Sequence, residues 1–229
     1  MELIGLAIGA ALFAITHLVP GIPSVRAGLV RSLEEGPYRA AYSMVAIFAL
    51  GILIWGYASA PYIPLWDGTG APRHLAFLLM LVSVLFLVLG VTQRNPTMAG
   101  SDGNTGGPGS MRAVGVLKIT RHPVMWGIMI WAVAHILANG DAATTILAGT
   151  ILLVGFVGTR FIEMRKRRAV PVSWAMFTAT SSYVPFAAMF SGRAKGAFGE
   201  IAWWRWLVAL AVYAALFAGH RYIAGVALY

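Results

Sequence analysis

The chain carries five imidazoles and no thiol: His17, His74, His122, His135 and His220, with no cysteine. Without thiolates there is no disulfide, no cysteine-held iron–sulfur cluster and no thiolate ligand for haem. Histidine, methionine, carboxylate and backbone groups remain. Two of the five histidines fall in one stretch, KITRHPVMWGIMIWAVAHILANGD, Lys118 to Asp141. It opens on Arg121-His122-Pro123, runs as an apolar helix around His135 and stops at Asn139-Gly140-Asp141. Proline suits a first helical turn, where its missing N–H costs nothing, and Asn-Gly is a strong stop. His122 and His135 are 13 residues apart, which leaves them about 140° from a common helical face, so they do not chelate as a pair. No His-x-x-x-His, Glu-x-x-His or Cys-x-x-Cys-His occurs. This argues against a helix-borne zinc site and against covalent haem. What remains is a cofactor held by single histidines from different helices, for which haem b between two imidazoles is the common solution. His74 and His220, at the ends of apolar segments, read equally well as interfacial residues. His17 and His135 have apolar helix on both sides and need a partner there.

The elements that must position these groups are membrane spans. Hydrophobic residues make up 59% of the 229 and charged ones 11%, against about 25% charged in a soluble domain, and mean hydropathy is +0.76. The expected fold class is all-α, a polytopic helix bundle in one domain, 1–229. Six segments are long enough to cross at about 20 residues each: 3–21, 40–60, 74–92, 122–138, 142–161 and 202–220. The first has no basic leader and no small-residue cleavage site, so it reads as a retained span. Net charge is +9. The charges lie in connections between apolar segments, which points to topology and anionic lipid and away from nucleic acid. Fifteen of the seventeen Lys/Arg fall in the first, third and fifth connections. That bias places those connections in the cytoplasm and both termini outside, in the periplasm of a bacterial inner membrane.

The connections themselves are informative. Val25 to Leu33, bounded by prolines, reads as a short interfacial helix. Trp55, Tyr57, Tyr62 and Trp66 form an aromatic belt. The Gly-rich run 99–110 lacks the Lys-Ser/Thr ending of a phosphate loop and reads as a flexible linker. After the basic run Arg165 to Arg168, the stretch 172–199 is too interrupted to span and is expected along the interface, with Trp174, Phe177, Tyr183 and Phe186 at headgroup depth.

These residues resemble a known family. The His17 region, ITRHPVMWG at 119–127, WAVAHILANGD at 131–141, TSSYVPFAAMFSGR at 180–193 and EIAWWRWL at 200–207 look like the NnrU family of bacterial membrane proteins, related to 15-cis-zeta-carotene isomerase. The resemblance covers nearly the whole chain. It implies a haem b with two histidine ligands, at positions matching His17 and His135. It further implies an activity switched by haem reduction, in which one ligand releases and the iron engages a lipid-soluble polyene. The bacterial branch is associated with denitrification, in nitrite and nitric-oxide metabolism. The isomerases read Arg-His-Pro-Gln where this chain has Arg121-His122-Pro123-Val124. Arg121 and Arg160, at cytoplasmic span ends, are the candidates to pair haem propionates.

Depth leaves the ligand pair open. With an outside N-terminus, His17 lies about 24 Å below the outer surface and His135 about 6–9 Å, a mismatch of roughly 15 Å. Depth alone favours His135 with His74 or His220, or His17 with His122. Arg-His-Pro followed by Trp126-Gly127 is also similar to the isoprenylcysteine carboxyl methyltransferases. That resemblance implies S-adenosylmethionine bound near Arg121 and His122, with Glu163 orienting the substrate; the second acid of that pattern is missing. A third possibility is a non-enzymatic membrane assembly factor.

Overall fold

The computed structural model describes residues 3–98, 111–226 and 228. The Gly-rich run 99–110 lies outside the described residues. Every regular element among the described residues is helical: α1 (Ile4–Leu18), α2 (Pro23–Leu33), α3 (Glu35–Ala58), α4 (Ala71–Val91), α5 (Val116–Ile119), α6 (Pro123–Asn139), α7 (Ala142–Ala169), α8 (Pro171–Ala179), α9 (Ala187–Phe190) and α10 (Trp203–Ala224), with a 3₁₀ turn at Phe198–Glu200. Four of them, α3, α4, α7 and α10, are long and apolar enough to cross a membrane. The pair α1 and α2 makes a fifth if it is one span, bent by 76°. The expected count of six thus becomes four or five on length and composition. The fourth expected span is α6, an apolar helix of 17 residues. The first stops early because Pro20 cannot continue the ladder: Gly21 and Ile22 turn back onto the carbonyls of Leu18 and Val19. Pro23 then opens α2, which covers the interfacial helix expected there.

The chain falls into two compact units, Met1–Phe77 with Trp131–Lys166, and Leu78–Ile130 with Arg167–Tyr229. In the first unit, Leu6, Ala10 and Phe13 of α1 pack on Ala49 and Leu53 of α3 and on Ala143 of α7. Small residues let α1 and α3 approach to backbone contact, which is how helices associate where lipid removes the hydrophobic drive. A Cβ on Gly9 would lie 2.9 Å from Leu53 Cα, and one on Gly56 would lie 2.8 Å from Leu6 Cα. Leu6 beside Gly56 and Gly9 beside Leu53 make the pair antiparallel.

The connection 59–70 docks on the α6–α7 turn. The N–H groups of Leu65 and Trp66 both donate to the Gly140 carbonyl, at 2.7 and 3.1 Å, and Ala142 N–H donates to Ile63 O at 2.9 Å. Asp141 caps α7 by accepting from Thr144 N–H at 2.9 Å, which satisfies an orphan donor of the first turn. Gly140 has φ +65°, and a Cβ there would run into the Trp66 carbonyl oxygen. Gly140→Ala is therefore expected to cost ~2 kcal/mol from backbone strain and collision together. An unchanged thermal midpoint in detergent would contradict this.

The second unit is built around the single turn α5. Val116 and Ile119 pack with Phe86 and Leu89 of α4 and with Ala197 and Ile201. On another side Leu117, with Met111 and Ala113, packs on Trp174 and Phe177 of α8. These two aromatics face the protein core and not the headgroups, since both are buried. Helical spacing places 173, 174 and 177 on one face of α8; that face fills the core and leaves Val172 and Met176 outside. The segment 180–186 is tied along 119–126: Phe186 N–H donates to Ile119 O at 2.8 Å and Arg121 N–H to Ser182 O at 2.9 Å. The Thr120 hydroxyl and the Trp126 indole N–H both donate to Tyr183 O at 2.8 Å.

Glu200 clasps the entry to α5. It accepts from Gly115 N–H at 2.9 Å and from the Lys118 ammonium. Partial desolvation pushes its carboxyl up, but the Lys118 and Gly115 hydrogen bonds and the Lys118 and Arg112 charges outweigh that and hold it below the usual range. A depressed carboxylate stabilises the fold above its unfolded value, about 4.3, and that contribution is lost as pH falls through the folded value. Wild type should therefore melt above Glu200→Gln at neutral pH, and the gap should close below about pH 4. Parallel melting curves across that range would refute it.

Candidate functional site

Four of the five histidines place Nδ1 against a backbone carbonyl oxygen, three of them in the same local contact. The ring Nδ1 of His17, His74 and His135 lies 2.8 Å from the carbonyl oxygen four residues earlier, on Phe13, Gly70 and Trp131 respectively. That of His220 lies 2.9 Å from Val226 O. A carbonyl oxygen only accepts, so Nδ1 carries the proton and donates. In the neutral ring this leaves the lone pair on Nε2, the arrangement found in metal-ligating histidines whose second nitrogen donates to a carbonyl.

His17 and His135 share a further feature. Each ring lies tilted over the aromatic one turn earlier, His17 over Phe13 at 4.0 Å and His135 over Trp131 at 4.2 Å between centroids. The signal was present in the sequence as aromatic-x-x-x-His, a helical i,i+4 pair. His74 has Gly70 at that position, and its ring is exposed. The outer edge of His17 meets Tyr42 at 6.0 Å, Tyr42 stacks on Tyr38 at 6.1 Å, and the Arg26 guanidinium lies 5.4 Å over the Tyr38 ring.

Helical register fixes the heights of the three histidines in the first unit. Tyr42 places His17 near the N-terminal end of α3. At the other end, the Tyr57 hydroxyl lies 3.2 Å from Thr144 Oγ1, in the first turn of α7, and His135 is one turn below the α6–α7 connection. Fifteen residues from Tyr42 to Tyr57, less that turn, leave His17 and His135 about 17 Å apart along the helix axis. His74 is at matching height. A side chain on Gly68 would strike Ala138 O, and His74 and His135 each lie about one turn below that contact.

His122 belongs to the second unit and is fully buried. Its carbonyl accepts from Trp126 N–H at 2.9 Å in the first turn of α6, and its ring meets Tyr183 edge-on at 5.7 Å. Arg121 is half-buried, and its carbonyl accepts from the Thr97 hydroxyl at 2.8 Å. The Arg-His-Pro turn thus fastens the 180–186 segment. Arg160 is exposed with its guanidinium 5.1 Å over the Phe156 ring, and Glu163 is half-buried two turns before the end of α7. Among the described residues no three His, Cys, Asp or Glu side chains gather as a metal-binding group.

Apolar helices of spanning length, glycine-mediated helix contact and lone histidines within apolar helices define a multi-pass, all-helical membrane protein. The chain belongs to the NnrU family, whose description "NnrU protein" matches residues 5–228. It is similar to the 15-cis-zeta-carotene isomerase of Zea mays, at 36% identity over 89 residues, covering 37% of this chain and 23% of that protein. It is also similar to the same enzyme of Arabidopsis thaliana, at 29% identity over 79 residues, covering 34% of this chain and 22% of that protein. The match thus spans under a quarter of those chloroplastic relatives. No solved structure matches.

Proposed function

We propose that this protein is a haem b-binding membrane protein performing redox-dependent isomerisation of a lipid-soluble substrate, or a related redox step in nitrite and nitric-oxide metabolism. The observation that carries the reading is that His17 and His135 both donate Nδ1–H to a carbonyl, which sets the tautomer whose Nε2 lone pair is the one a metal would take. This donor set fits haem chemically. When bound, the haem would supply a redox-switchable iron. His135 would be one residue holding the haem iron, its ring fixed by Trp131 at both the ring face and the Nδ1–H. The second ligand is His17, which the family resemblance implies, or His74, which the register favours. Use of His17 requires α1 and α6 to shift relative to the heights found here. The likeness to carotene isomerases supports an elongated polyene as the substrate class. The Lys/Arg bias supports outside termini and a bacterial inner membrane.

The test is an absorption spectrum of detergent-purified protein, oxidised and then dithionite-reduced. A Soret band that sharpens and shifts, with resolved visible bands, is expected for six-coordinate haem b. A featureless spectrum after expression with haem supplied would sink the reading. Binding of S-adenosylmethionine would then favour the methyltransferase alternative, and absence of both would favour an assembly factor. Comparing His17→Ala with His74→Ala assigns the second ligand, because only loss of the true partner lowers haem content as loss of His135 does.

A further inference from the structure

We propose that the segment between α7 and α10 in the second unit is an in-plane docking face for anionic phospholipid. The segment runs from the end of one apolar helix of spanning length to the start of another, so it lies at a membrane edge. Its inner side is fixed by Trp174 and Phe177 against Met111, Ala113 and Leu117, and by the hydrogen bonds that tie 182–186 to 119–126. The outer side is apolar to a degree that water would not favour. Phe190 is 89% exposed, Trp203 73% and Val172 62%, with Met176 and Phe198 also turned outward.

Charge decides what covers this side. Arg112, Arg167, Arg168 and Lys195 are exposed around the same α5-centred core. Glu200 is the one carboxylate among the described residues of this unit, and Lys118 and Gly115 already hold it. Arg193 is committed elsewhere: its guanidinium donates to the carbonyls of Thr178, Ala179 and Ser181 at 3.1–3.2 Å and closes the end of α8. An apolar face in a segment whose exposed bases Arg167, Arg168 and Lys195 outnumber its one carboxylate, and which joins two helices of spanning length, matches a bilayer surface carrying anionic headgroups. Each base near such a surface raises the preference for it roughly fivefold.

The chain has no cysteine, so a single introduced one can carry a nitroxide without background. Phe190→Cys, with Val172→Cys as a second position should the first perturb folding, would be labelled in the full-length protein. The label's accessibility to oxygen and to a water-soluble nickel chelate would be read in nanodiscs of phosphatidylcholine and of phosphatidylcholine with phosphatidylglycerol. Oxygen should gain on nickel when the anionic lipid is present. Neutralising Arg167→Gln, Arg168→Gln and Lys195→Gln together should abolish that gain while leaving the thermal midpoint unchanged. Equal water access in both lipids, or a gain that survives neutralisation, would overturn the proposal. Protection that follows protein concentration and not lipid charge would assign the face to a second copy and overturn it as well.

Discussion

His135→Ala is expected to strip most of the haem from the purified protein while leaving its helical content and detergent melting close to wild type. The side chain lies within apolar helix, and its Nδ1 hydrogen bond is to its own helix, so removal breaks no link to another element through that contact. Trp131 loses only the partner on its ring face. If His135 holds the haem iron, its removal would take away one of the protein bonds that retain the haem. The check is haem per protein by pyridine haemochrome, beside far-UV circular dichroism. Unchanged stoichiometry in a folded variant would remove His135 from the site. His122→Ala should behave oppositely, with haem retained and stability reduced, because its buried ring packs on Tyr183.

Gly56→Leu should severely damage the fold of the first unit. The new Cβ would meet Leu6 Cα at 2.8 Å, with Gly5 O and Leu6 N each at 3.0 Å. All three are backbone atoms, so no side chain can swing away. Relief would require α1 to separate from α3, at a cost of about 3 kcal/mol or more. α1 carries His17 and the Phe13 ring beneath it, so the same variant should disturb His17 from a distance of several turns. Thermal unfolding in detergent measures the first effect. The second would appear as altered quenching or exchange at the Tyr42 and Tyr38 cluster. A wild-type midpoint would show that the two helices do not depend on this contact.

Much of the architecture was legible as pattern. Long apolar runs bounded by Pro, Gly and basic residues located α3, α4, α7 and α10, but α3 begins five residues before the expected start, α7 runs eight residues past the expected end to Ala169 and α10 four past it. Asn139-Gly140-Asp141 read as a stop, and it is one, with Gly140 in the left-handed region and Asp141 capping the next helix. The first span was drawn too long because its hydropathy continues past Leu18 while its backbone does not: Pro20 and Pro23 act on hydrogen bonding, which a hydropathy window does not weigh. The core-facing side of α8, with Trp174 and Phe177, went unseen for a related reason. Composition marked 172–199 as interfacial, but only the 3.6-residue period separates the face that enters the core from the face that leaves it. At the candidate site, the histidines and the aromatic one turn before His17 and His135 were present in the sequence. Their heights relative to one another depended on which helix ends meet, and the 59–70 connection that fixes this for His74 and His135 carries no motif.

Neither compact unit is continuous in sequence. The divisions fall inside α4, α6 and α7, at Phe77, Ile130 and Lys166. During synthesis, α1 to α3 are made before the rest of their unit, which arrives only after more than fifty residues of the other unit. At about 5–20 residues per second, roughly ten seconds separate His17 from His135. Through that interval the glycine seam between α1 and α3 is the contact already available to hold the early helices together. Biogenesis thus sets a requirement of its own on Gly9 and Gly56, distinct from the stability of the finished protein: they must secure a hairpin that waits for its partners.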